Sequence, residues 1–115
     1  MANILAGFVA ILHVYFLILE MFFWDKPLGV RTFGHSQESA TASKILAMNQ
    51  GPYNGFLAAG LAWDLCLSTA GNPIKIFFLA CTLVAGVFGG LTASRKILLV
   101  QAFPAATVLA LVFLF

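Results

Sequence analysis

From Ile4 to Trp24 the chain carries a single charged side chain, Glu20. Three more stretches are similarly apolar: about Lys44 to Thr69, Ile74 to Ser94 and Lys96 to Phe115. Each is close to the ~20 residues that an α-helix needs to cross the hydrocarbon of a bilayer. Only short connections remain, so there is no room for a soluble domain. Composition points the same way: 62% of residues are apolar and 9% charged, and the mean hydropathy is +1.01. A water-facing surface calls for roughly a quarter or more charged residues. The expected fold is all-α: one domain over residues 1–115, with four transmembrane helices in an antiparallel bundle. It is expected as a multi-pass protein of the inner membrane, in contact with lipids and with no nucleic acid.

The basic residues set an orientation. Lys26, Arg31, Lys44, Arg95 and Lys96 fall in or beside the first and third connections, and only Lys75 lies by the second. This bias places the basic side in the cytoplasm and both termini outside. The net charge of +2 then reflects topology rather than a polyanionic partner. The amino-terminal stretch lacks a basic lead and a small-residue cleavage site, so it reads as a permanent span. Cys66 and Cys81 fall inside spans and read as small apolar residues.

Between the first and second spans, "DKPLGVRTFGHSQESATAS" reads as loop, with Pro27 ending the first helix and "SQESATAS" leading into the second. "AGNP" turns the second span into the third. Almost nothing separates the third and fourth, which should pack as a tight pair.

The polar residues inside these spans are ordered by depth. Glu20 is near the cytoplasmic end of the first span, Asn49 and Gln50 near that of the second, and Gln101 near that of the fourth. At 1.5 Å per residue they share one layer, roughly 6–9 Å inside the boundary. Tyr53 and Asn54 are a turn deeper, and His13 is near the middle on the same face as Glu20. Asn49, Gln50, Tyr53 and Asn54 cover an arc of about 140° of one helix. An uncompensated charge in hydrocarbon costs about 2.5–3.5 kcal/mol or more, so Glu20 is expected to face inward and to be paired, hydrated or protonated. Glu20, Asn49, Gln50, Tyr53, Asn54, Gln101 and His13 are therefore the candidate ligand-binding residues. Pro52 frees the carbonyl of Met48 as a further acceptor. Asp64 reads as an interfacial residue, and Trp24 and Trp63 as boundary anchors. The row Thr82, Gly86, Gly90, Ser94 has the small-xxx-small spacing that lets helices approach, and Gly86 and Gly90 are a candidate homodimer contact.

No metal, cofactor or phosphate motif is present. His13 and Glu20 stand about 10.5 Å apart along one helix, too far to share an ion. No catalytic nucleophile is evident, so the sequence gives enzyme activity no positive support.

Glu-Met-Phe-x-Trp at Glu20–Trp24, Asn-Gln-Gly-x-Tyr-Asn at Asn49–Asn54 and Val-Gln-x-x-Pro-Ala at Val100–Ala105 resemble one family. It is the group of small membrane proteins catalogued as domain of unknown function 1304. The resemblance covers almost the full chain and implies four spans, but it brings no activity and no functional residues. Two functions follow from the residues themselves. One is binding or transport of a small molecule or ion at a polar site open to the cytoplasm. The other is an accessory or assembly subunit of a larger membrane complex, with no ligand of its own. Small multidrug exporters offer an analogy in size and in their first-helix glutamate, but they insert in both orientations, which the charge bias here opposes. A lipid-modifying enzyme using Glu20 and His13 is the third and weakest reading.

Overall fold

The computed structural model describes the chain except Ser94 and Phe115, with backbone alone at Ser68 and Thr69. The last residues expected for the third and fourth spans, and the Ser94 end of the small-residue row, thus lie outside the described residues. Helices α1 (Ala2–Phe22), α2 (Pro27–Phe33), α3 (Gln37–Cys66), α4 (Asn72–Thr92) and α5 (Phe103–Leu114) make up the chain. A 3₁₀ turn, Ser68–Gly71, precedes α4, and a π-helical segment, Leu98–Ala102, runs directly into α5. No strand occurs among the described residues. Two helices, α1 and α4, are long and apolar enough to cross a membrane. At 30 residues α3 is the longest, but its apolar character is diluted by the polar residues it carries.

The connection after α1 is more ordered than its glycines and polar residues suggest. Pro27 opens α2 as its first residue, where a missing N–H costs nothing, instead of stopping α1, which has already ended at Phe22. Gly34 closes α2 with a left-handed φ of 69°, and its N–H and that of His35 both reach the Val30 carbonyl, at 3.0 and 3.3 Å. Gly29 is buried so tightly that a Cβ there would lie 2.1 Å from the Phe23 carbonyl oxygen. The second long helix begins at Gln37, seven residues before the expected Lys44, because Ser36 caps it: its Oγ accepts the Ser39 N–H at 3.0 Å.

The chain divides into two compact units: Leu12–Phe56, and Met1–Ile11 with the chain from Leu57 on. In the first, Trp24 donates to Ser43 Oγ at 3.0 Å and packs on Phe33 and His35. Lys44 pairs with Asp25 at 3.3 Å. Desolvation pushes the Asp25 carboxyl up, but the hydrogen bond and charge of Lys44 outweigh it and hold it below its ordinary value.

In the second unit, Ala6, Val9 and Ala10 of α1, Ala58 and Leu61 of α3, Leu79 of α4, and Ala105 and Val108 of α5 form one apolar core. Phe78 lies against Gly60, where a Cβ would meet its ring at 2.4 Å. The turn from α4 into α5 is held by the close backbone approach at Gly86, whose imagined Cβ is 2.6 Å from the Ala102 nitrogen. Leu98 covers Gly90 in the same way. The two glycines expected as a homodimer contact are therefore covered by the chain's own residues. The π turn, in which Phe103 N–H bonds to the Leu98 carbonyl, adjoins Pro104. That proline cannot donate to the Val100 carbonyl, and a local shift to π geometry accommodates the loss.

Large apolar side chains cover the outside: Ile4, Ile11, Phe77, Val84, Phe88, Leu91 and Phe113 are each more than 60% exposed. Replacing Gly86 with alanine forces a methyl group into the Ala102 backbone. The expected cost is about 1–3 kcal/mol, read as a lowered melting temperature in detergent. Gly89→Ala should cost less, because its Cβ meets only the Ile97 side chain, at 3.2 Å.

Candidate functional site

A stripe of small residues on α3 decides where its polar groups go. Ala47, Gly51, Asn54 and Ala58 are buried along one side of the helix. Gly51 and Gly55 bracket Asn54 and let α3 approach α1 closely. A Cβ at Gly51 would lie 2.3 Å from Met21 Cγ, and one at Gly55 would lie 2.8 Å from Leu17 Cδ1. At this separation the short Asn54 side chain spans the gap, and its Nδ2 donates to Glu20 Oε1. Asn54 is buried and Glu20 half-buried. Among the described residues, Asn54 is the only hydrogen-bond partner of that carboxylate, and no lysine or arginine pairs with it.

The other expected members are distributed differently. His13 is fully buried on α1, edge-on to Phe16 with ring centroids 5.5 Å apart. Two turns separate it from Glu20, so the pair is beyond hydrogen-bond reach. Asn49, Gln50 and Tyr53 are exposed; the 140° arc is split, with Asn54 at its buried edge. Gln101 belongs to the other unit, half-buried within the π segment.

A second polar cluster was not anticipated from the sequence. Asp64, expected as an interfacial residue, is fully buried, and Lys75, counted with the connection between the second and third spans, is 3% exposed. Lys75 Nζ donates to Asn3 Oδ1, reaches Asn72 Oδ1 at 3.5 Å and stands 3.7 Å from Asp64 Oδ1. Neither Asp64 oxygen has a hydrogen-bond partner among the described residues. Asp64 lies against the amino end of α4, since a Cβ at Gly71 would be 2.7 Å from its Oδ1, and the helix dipole there favours a negative charge. An open groove of about 520 Å³, lined by Asn3, Asn72, Lys75, Leu111 and Val112, adjoins the cluster. The available signal was a pair of opposite charges flanking the tight turn between two apolar helices. Among the described residues, no group of three metal-ligating side chains occurs.

Comparison with known proteins matches residues 7–114 to the family described as "Protein of unknown function (DUF1304)". The uncharacterized protein YpaA of Lactococcus lactis subsp. lactis (strain IL1403) is 32% identical over 100 residues, covering 85% of this chain and 84% of that protein. No solved structure matches.

The buried ion pair gives a direct test of the second cluster. Lys75→Met strands the Asp64 carboxylate, and Asp64→Leu strands the ammonium. Each should cost about 3–5 kcal/mol, whereas the double variant should recover most of the loss. Thermal unfolding of all four forms in detergent measures the coupling.

Proposed function

The chain belongs to the DUF1304 family, and from the geometry at Glu20 we propose that it is a four-span membrane protein that binds or transports a small cation or cationic molecule. Glu20 supplies the charge and Asn54 orients it. One observation carries the reading: a half-buried carboxylate among apolar helices, with one oxygen bonded to a neutral amide and no basic partner among the described residues. Such a group needs a proton or a cation to remain where it is. Gln50, one turn before Asn54 on the same flank of α3, borders the site from its exposed side. His13 lies deeper on α1. Apolar side chains covering the outside of α1, α4 and α5 support a lipid surrounding, since a patch of this extent in water drives association.

A subunit that serves a larger assembly and has no ligand is the second reading, favoured by the exposed amides of α3. Thermal unfolding of the purified protein against monovalent and divalent cations and protonated amines separates the two. A ligand held at 100 times its Kd should stabilise the native protein by about 2.7 kcal/mol and leave Glu20→Gln unmoved. If no compound shifts the native protein and Glu20→Gln is equally stable, the subunit reading replaces the binding site.

A further inference from the structure

The face of α3 away from its small-residue stripe repeats as well. Ala42, Leu46, Asn49, Tyr53 and Phe56 follow one another at spacings of four, three, four and three, and all are exposed. Leu46 is 73%, Tyr53 50% and Phe56 61% exposed. This is the 3.5-residue period of a seam along which two helices pack with a left-handed twist. Asn49 occupies a seam position, and a single asparagine there fixes the register and number of partners.

If α3 spans the membrane as proposed above, on which reading this inference rests, the Asn49 amide and the Tyr53 hydroxyl meet hydrocarbon unless a polar partner covers them. The glycine row of α4 does not supply the contact, being covered within the chain. A partner must present hydrogen-bonding groups to Asn49 at the same depth. An amide both donates and accepts, and the charge bias inserts every copy in the same orientation. A second copy thus brings an identical amide to the matching level in a self-complementary, two-fold contact.

We propose that the protein forms a parallel homodimer through this face of α3, the Asn49 side chains of the two copies hydrogen-bonding to each other. The seam runs from Ala42 to Phe56, with Gln50 at its flank.

Cross-linking in native membranes tests this, in a background with Cys66→Ala and Cys81→Ala. Leu46→Cys should give a disulfide-linked dimer on mild oxidation, and Leu91→Cys, equally exposed but on α4, should not. Adding Asn49→Leu to Leu46→Cys should lower the dimer yield at least about fivefold. Sedimentation of the otherwise native protein in detergent should give a dimer, and Asn49→Leu a monomer. The proposal is overturned if Leu46→Cys stays monomeric or links no better than Leu91→Cys, or if Asn49→Leu changes neither readout. Alkaline carbonate extraction separates the two failures. Protein retained in the membrane without cross-linking sinks the dimer alone, whereas protein stripped from the membrane removes the four-span reading together with it.

Discussion

Among apolar helices a polar side chain keeps its place only if a partner is close enough to replace water, and distance is set by the backbones that carry both groups. Asn54 meets Glu20 because Gly51 and Gly55 bring α3 against Leu17 and Met21 of α1. Alanine at either glycine would place a methyl group where those side chains now stand, and they would have to move aside for the asparagine to stay within reach. The run Gly51-Pro52-Tyr53-Asn54-Gly55 is thus one device, in which the glycines set the separation and the amide uses it. The same demand organises the other unit, where Lys75 is surrounded by Asn3, Asn72 and Asp64. There the ion pair is nearly neutral as a whole, which makes its burial affordable and directs attention to Glu20 as the charge left unbalanced.

The long helices were legible in the sequence because long apolar stretches admit few alternatives, and the meeting of Glu20 with an amide of α3 was legible because a carboxylate among apolar helices calls for a partner. Facing was not. Helical periodicity fixes the angles between Asn49, Gln50, Tyr53 and Asn54 but not which edge of their arc is buried. Ala47, Gly51 and Ala58, read as the side where backbones approach, would have pointed to Asn54 alone. The early start of α3 at Gln37 was hidden by small polar residues that resemble loop, although Ser36 was available as a cap. Asp64 was read as an interfacial residue, and Lys75 was counted only as the basic residue of the connection between the second and third spans. Their burial depends on Asn3, which lies far away in sequence and comes close only through tertiary packing.

Two expectations therefore change in character. Gly86 and Gly90 of α4 do not offer a free surface, because Ala102 and Leu98 of the π segment occupy them. The outward residues of α3 do offer one, on the side of the helix opposite the buried stripe and with the same spacing of fours and threes. One helix in this way serves the interior of its own chain on one side and remains unpartnered on the other.

The tight glycines also divide by what they touch, and that division governs how this family can drift in sequence. At Gly60 and Gly90 the obstacle to a larger residue is a side chain, Phe78 or Leu98, so a smaller neighbour can restore the space and the two positions can change together. At Gly86 and Gly29 the obstacle is main chain, at Ala102 and Phe23. No exchange at the opposing position removes a backbone atom, so a larger residue there has no suppressor at the opposing position. Revertants selected from substitutions at the first two glycines should carry second-site changes, whereas those from the latter two should restore glycine itself.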